Sequence, residues 1–259
     1  MQTKNLIENK LKDIDVVVLC GGIGSRIAEV VNDRPKPMAE INHQPFLDIL
    51  ICHFARFGFR RFVLCTGYMS EVIADYYDQK SSMVEFIISY EHAPLGTAGS
   101  VKNAQEFIQS DQFLVANGDS FCSMDLSEFY NFHLSRQALL SMAVVESEDT
   151  TASGRVTLDS LQGITSFEEK EQKEGTGYIN AGIYLFHKHV LSFIPANTKY
   201  SLEYDLFPRL TNQGSYAFVS CAELIDIGTP QQYERAKEYF AAGTEILPAH
   251  DFNKNEAKV

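Results

Sequence analysis

Three glycines within four residues, Gly21, Gly22 and Gly24, end the apolar run Val16–Cys20 (VVVLC), and Arg26 follows them. Glycines let backbone N–H groups come close to an anion, and a helix N-terminus after the loop would add positive potential. Spelling excludes two familiar phosphate loops. A Walker A loop requires Lys-Ser/Thr after its last glycine, and none follows here. A dinucleotide fingerprint requires Gly or Ala at position 27, which is Ile27. Ten residues after Arg26 comes Lys36, between Pro35 and Pro37. Prolines on both sides stiffen the backbone, so the ammonium is held in place rather than left to wander in solvent.

Two aspartates stand apart from this loop. Asp119 follows the apolar stretch 113–117 (FLVAN) and falls at the carboxyl end of an expected strand, where ligand sites of open α/β sheets gather. Asp226 lies in 224–230 (LIDIGTP), flanked by Ile225 and Ile227. An acid in such surroundings is costly unless it is paired or metal-bound. Mg²⁺ takes one or two protein carboxylates together with phosphate oxygens and water, so the two aspartates are natural partners for it. Taken singly, each reads equally well as a turn or cap residue. A third group, Glu169-Lys170, precedes Asn180 in the chain. A carboxylate beside an ammonium suits a phosphorylated sugar, since Glu accepts from hydroxyls and Lys neutralises phosphate. By composition alone, however, 168–174 is a solvated charge cluster, with six charged residues in seven.

The elements needed to position these groups are those of an α/β protein. Val16–Cys20, 61–66 (RFVLCT), 84–90 and 113–117 read as strands, and 46–57, 70–78, 97–109 and 126–136 as helices between them. Gly58 ends the first helix and Ser70 is placed to cap the second. Beyond 138 the rhythm shortens: strands at 139–146, 154–158, 163–168 and 178–186 are punctuated by glycines, as in antiparallel hairpins. Helices at about 187–194, 201–211 and 230–241 bracket a strand at 216–221. Expected boundaries are a leader over 1–12, one catalytic domain over 13–243 with a nucleotide-binding part (13–137) and a sugar-binding part (138–228), and a loose tail over 244–259.

Composition narrows the partners. The chain has 259 residues, 22 Lys plus Arg against 34 Asp plus Glu, and a net charge of −12. An acidic surface of that kind argues against nucleic acid or an acidic membrane, whose phosphates it would repel. No apolar run approaches the roughly 18–20 residues needed to span a bilayer, and the first residues lack the apolar stretch of a signal peptide. Five cysteines form no CxxC pair, which suggests reduced, buried thiols and a cytoplasmic setting.

The segment 21–38 resembles the signature of sugar-1-phosphate nucleotidylyltransferases, GGxGxR followed by the lysine of PKP, and the similarity runs over roughly 14–241. The resemblance implies a Rossmann-like mixed central sheet of the nucleotide-diphospho-sugar transferase type (α/β/α), with a smaller antiparallel sugar-binding portion. It assigns Arg26, Lys36 and Lys170 to catalysis. Leu19, Gly21, Gly22, Gly24, Gly96, Thr97 and Asn117 fall to the nucleotide, and Gly154, Glu169, Lys170 and Asn180 to the sugar. Asp119 and Asp226 match the family's GD and D-x-G-T-P positions and so hold Mg²⁺. Glu171 departs from the family's Pro after Glu-Lys, and Gly154 is also readable as a plain hairpin glycine. The loop 94–99 (PLGTAG) lacks the glutamine typical of thymidylyltransferases, and Glu91 is placed to accept from guanine. PKPM, PFLDILI, NGDSF, INAGIY and SLEYDLFP are most similar to the guanylyltransferase branch that takes a heptose 1-phosphate for bacterial surface polysaccharides.

The substrates so implied are a nucleoside triphosphate, preferably GTP, and a sugar 1-phosphate. Homo-oligomerisation is left open. Mannose-1-phosphate guanylyltransferase or another hexose-1-phosphate enzyme is the alternative. A glycosyltransferase on a related fold is disfavoured because no DxD motif is evident. A regulatory subunit without catalysis would not need Arg26, Lys36, Asp119, Lys170 and Asp226 together.

Overall fold

Val16, Val17 and Val18 are fully buried in β1 (Asp15–Leu19), which is flanked by parallel partners on both edges. A strand covered on both faces needs apolar residues at every position, which explains the unbroken VVVL spelling. The computed structural model describes residues 10–22, 24–80, 84–150, 154–169 and 175–242.

After β1 the chain crosses a short 3₁₀ turn, Lys36–Met38, and a two-residue hairpin, β2 (Glu40–Ile41) and β3 (Gln44–Pro45). It then enters α1 (Phe46–Arg56), whose apolar face is buried and which stops before Gly58, at φ +107°. β4 (Arg61–Thr66), α2 (Ser70–Asp78), β5 (Glu85–Tyr90), α3 (Gly96–Asn103), β6 (Gln112–Asn117), β7 (Ser120–Cys122) and α4 (Leu126–Ser135) follow. The rest comprises β8 (Leu140–Ser147), β9 (Arg155–Leu158), β10 (Ile164–Glu168), β11 (Gly177–His187), α5 (Phe207–Leu210), β12 (Ser215–Ser220), β13 (Leu224–Asp226) and α6 (Pro230–Ala241).

Nine strands form one mixed sheet. Its main path is β12-β8-β11-β6-β1-β4-β5, and the β9-β10 hairpin adds to the first residues of β11. The β5-β4-β1-β6 half is parallel, and β11 runs antiparallel to both β6 and β8. At Ala181–Ile183 the β11 register shifts, with Gly182 at φ +74°. There the strand leaves β9 and takes up β6 as its neighbour. The sheet carries buried clusters on its two faces, one including Phe46, Leu50, Phe54 and Phe121, the other Phe113, Tyr184, Phe186 and Phe207.

The expected fold class holds, with local corrections. No helix follows the glycine loop; residues 25–30 form successive turns closed by Ile27 N–H on the Gly24 carbonyl and Val30 N–H on the Ile27 carbonyl. The short stretch before Pro35, with paired valines, is too brief to sustain a helix. Ser70 does not cap α2: it is the first helical residue, after Met69 in the left-handed region at φ 51°. Tyr68 N–H donates to the Gly21 carbonyl just before that turn. α3 ends earlier than expected and continues only as a 3₁₀ turn; beyond it the Gln109 and Ser110 N–H groups donate to buried Asp15. The 187–194 helix is a 3₁₀ segment, Lys188–Phe193, and the 201–211 helix is a π turn, Leu202–Leu206, running into α5. β8 does not hairpin with β9; it pairs antiparallel with β11 and parallel with β12. Cys20, Cys52, Cys65 and Cys122 are buried free thiols, whereas Cys221 is exposed.

Candidate active site

The glycine loop leaves β1 at the carboxyl edge of the parallel half, beside the ends of β4 and β6. Gly24 has φ +65°, and a Cβ there would stand 3.0 Å from Lys36 Cβ. A Cβ on Gly21 would face Gly67 N and Glu91, while one on Gly22 would meet open space. Gly22 therefore keeps a bare backbone toward the cleft without any packing need for it. On the β6 side, Gly118 N–H donates to the Leu19 carbonyl, and a Cβ at Gly118 would lie 2.7 Å from that oxygen. Only glycine lets the β6 end come this close to β1, and that approach sets the position of Asp119.

Lys36 is buried, and its Nζ donates to Asp119 Oδ2 at 2.7 Å. The Ser120 hydroxyl lies within hydrogen-bond distance of both carboxylates, 3.3 Å from Asp119 Oδ1 and 3.1 Å from Asp226 Oδ2. Asp226 is brought there because β13 pairs antiparallel with β7, setting Asp226 opposite Ser120. Its Oδ1 accepts from Gly228 N–H. Burial and the Asp119 charge hold the Asp226 carboxyl above the usual carboxylate range, against the opposing pull of Lys36. Two carboxylates and one ammonium thus share one locus. Among the described residues no group of three or more His, Cys, Asp or Glu side chains is placed to hold a metal ion.

Two clefts meet at that locus. One, of about 680 Å³, is lined by Leu19, Gly21, Gly22, Gly24, Arg26, Lys36, Gly96, Thr97 and Asn117, with Tyr68, Glu91 and Lys199. The other, of about 580 Å³, is lined by Gly154, Glu169, Asn180, Glu203 and Asp226, with Glu146, Glu223, Gln232 and Arg235. Arg26, Asn117 and Asp119 belong to both. Arg26 is exposed, and the buried Oδ1 of Asn117 has no hydrogen-bond partner among the described residues. The site residues expected from sequence line these two clefts, except Lys170, which lies outside the described residues.

The structure also shows what several of these residues do within the protein. A Cβ on Gly96 (φ +71°) would lie 2.8 Å from the Tyr200 carbonyl, and one on Gly99 the same distance from that of Thr198. These small residues therefore serve close packing of 95–99 on 198–200, sealed by Tyr200 N–H to the Leu95 carbonyl and Gly99 N–H to that of Tyr200. Thr97 donates to Glu203 at 2.7 Å and accepts from Leu202 N–H. Glu91 accepts from Leu95 N–H and the Ser100 hydroxyl, which staples the 94–99 loop from the cleft side. Asn180 accepts from Gly182 N–H at 2.9 Å and donates to Tyr184 at 2.7 Å, so its amide fixes the β11 irregularity. A Cβ on Gly154 would lie 2.4 Å from the Phe167 ring and 2.7 Å from Glu169, both across the β9-β10 hairpin, so close packing within the hairpin already calls for a glycine there.

Tyr68, Lys199, Ser120, Glu146, Gln232 and Arg235 line the clefts without having been singled out in the sequence. Only Gln232 and Arg235 carried a signal: they recur three and six residues after Thr229 along an expected helix.

Residues 15–243 match the nucleotidyl transferase family. Over 220 residues the chain is 32% identical to a D-glycero-α-D-manno-heptose 1-phosphate guanylyltransferase of Campylobacter jejuni, spanning 85% of this chain and 97% of that one. A mannose-1-phosphate guanylyltransferase of Mycobacterium tuberculosis is 32% identical over 250 residues, 95% of this chain and 70% of the other. The crystal structure of HddC from Yersinia pseudotuberculosis complexed with GMP-PN superposes with a TM-score of 0.78 at 35% identity, covering 88% of this chain and 99% of that one.

Proposed function

Because the chain belongs to the nucleotidyl transferase family, we propose that it joins a heptose 1-phosphate to GTP, forming a GDP-sugar and pyrophosphate. The observation that carries this reading is the meeting of two clefts at Arg26, Asn117 and Asp119, with the Lys36 ammonium at the junction. A triphosphate in the first cleft and a sugar phosphate in the second would bring their reacting groups together there. The similarity to a heptose 1-phosphate guanylyltransferase along 97% of its length, and to a structure complexed with GMP-PN, supports the choice of sugar and base.

The reaction needs little covalent work from the protein. An oxygen of the sugar phosphate attacks the α-phosphorus of GTP, one P–O bond forms, and the bond to the β-phosphate breaks with pyrophosphate leaving. The nucleophile is already anionic, so no general base is required, and positioning with charge neutralisation carries catalysis. Lys36, held by its prolines and by Asp119, would neutralise the α-phosphate. Arg26, exposed at the rim of both clefts, would steady the departing pyrophosphate, and the Gly21–Gly22 backbone would lie against the phosphates. Lys170 would meet the incoming sugar phosphate.

The donor set suits a divalent ion: two carboxylates sharing one hydroxyl, one of them held above its ordinary range by burial and by the charge of the other. Asp119 and Asp226 would hold Mg²⁺, which takes few protein carboxylates and completes its shell with phosphate oxygens and water. When bound it supplies charge stabilisation at the reacting phosphates. Glu169, Glu203 and the Gly154 backbone would receive sugar hydroxyls. All of these residues fall within the matched region 15–243, and among the described residues no helix is long and apolar enough to cross a membrane.

A mannose 1-phosphate substrate is the second reading, favoured by the Mycobacterium similarity. Pyrophosphate release with four nucleoside triphosphates against heptose, mannose and glucose 1-phosphates separates these readings. Fastest turnover with GTP and the heptose is expected. Turnover confined to a hexose overturns the sugar assignment, and no release with any pair overturns the reaction.

A further inference from the structure

The sugar cleft has a direction. Its inner end is the Lys36–Asp119–Asp226 locus, where the phosphate of a sugar 1-phosphate would sit. From there one wall is built by Thr229, the N-cap of α6, and by Gln232 and Arg235, three and six residues further along the helix. Gln232 belongs to the inner end, since its Oε1 lies 3.3 Å from the Cβ position of Gly228. Arg235 stands roughly 9 Å along the helix axis from Thr229, where it pairs with Glu223 at 2.5 Å. Both residues line the cleft and both are exposed, 62% and 47% by side chain.

An exposed surface pair contributes little to stability. At the open end of a ligand cleft it has another use. A guanidinium beside a carboxylate offers a donor and an acceptor side by side, the pattern needed by two neighbouring hydroxyls, one accepting and one donating. A pyranose carried on a phosphate at the inner end projects its exocyclic carbons away from that end. In a hexose this terminus bears one hydroxyl; in a heptose it is a vicinal diol.

We infer that the Glu223–Arg235 pair binds the exocyclic diol of the sugar and sets the preference for a seven-carbon over a six-carbon 1-phosphate. The inference rests on the heptose reading above. Its test compares kcat/KM for heptose 1-phosphate and mannose 1-phosphate, at saturating GTP, in the wild type and in Glu223→Gln, Arg235→Ala and Arg235→Lys. The heptose-to-mannose ratio is expected to fall about tenfold in each variant, as for a lost charged hydrogen bond, mainly through the heptose KM. Arg235→Lys separates diol recognition from simple attraction to phosphate, because it keeps the charge and loses the fork. Thermal unfolding of each variant checks that the fold is intact. A wild type that prefers heptose, with that preference unchanged in the variants or with both sugars falling equally, overturns the inference and leaves the proposed function standing. A wild type without preference, or inactive on both sugars, overturns the heptose reading and the inference with it.

Discussion

The ammonium of Lys36 and the carboxylate of Asp119, 83 residues apart in the chain, meet at 2.7 Å with the lysine almost wholly enclosed. Lys36 sits in a 3₁₀ turn between two prolines, and Asp119 follows a glycine whose missing side chain lets β6 approach β1. The pair is thus fixed from both sides by backbone features rather than by long flexible side chains.

Replacing that lysine removes a preorganised cation from the proposed reaction centre. Lys36→Met is expected to lower kcat by about 10²–10³, the usual loss for one such electrostatic group. It also leaves Asp119 and Asp226 facing each other without a counter-charge, so the melting temperature falls at neutral pH and recovers as the medium is acidified. Pyrophosphate release and calorimetry over pH 5–8 read both effects.

Asp226 behaves in the opposite sense. Its folded-state affinity for a proton is raised by burial and by Asp119, so the ionised form is less favourable in the fold than in the unfolded chain. Above the folded pKa the wild type carries that penalty, and it is relieved as pH falls through it. Asp226→Asn is therefore expected to raise the melting temperature at pH 7, by a margin that shrinks toward acid, while turnover drops about 10³-fold or more. Excess Mg²⁺ with GTP should raise the wild-type melting temperature more than that of the variant.

Two imidazoles, those of buried His133 and half-buried His53, give a second pH dependence, of opposite sign. His133 is held between Ser141 and Gln112, and desolvation pushes it down to about 4; burial does the same to His53. In the unfolded chain each titrates near 6.5. The unfolded state thus binds more protons, and stability is lost as pH falls from about 6.5 to about 4. Urea unfolding at stepped pH should show this loss, and His133→Gln should make the slope shallower.

Two glycines in the cleft proposed for the nucleotide should respond differently. Gly96→Ala meets the Tyr200 carbonyl and a left-handed backbone, so it should cost about 1–3 kcal/mol of stability and raise the KM for GTP. Gly22→Ala meets no protein atom within 4 Å. It should leave the unfolding midpoint nearly unchanged and still raise the KM for GTP, because its methyl projects where phosphates would lie. Equal midpoints for both variants would contradict the packing account.

Much of the site was legible because its residues are spelled locally. Glycines before Arg26, a lysine between prolines, and an aspartate after an apolar strand each declare a backbone circumstance within a few positions. What stayed hidden depends on pairings between distant segments. Nothing near Ser120 announces that β13 will lay Asp226 beside it, and nothing near Glu203 announces its bond to Thr97. The 94–99 loop shows the same limit: its small residues pointed to a ligand, while their tightest contacts are with 198–200. The expected end of the 97–109 helix failed in the same way, since its last N–H group, that of Gln109, goes to Asp15, a residue far away in the chain.

The β11 irregularity at Gly182 has a mechanical consequence. One continuous strand carries Ile179 and Asn180 into the second cleft and, a few residues later, bonds to the β6 segment that leads to Asp119. A hinge between the two binding regions would have to tear that strand from a neighbour. Both clefts therefore stand on one shared floor, and a group bound in one is held at a fixed offset from a group bound in the other.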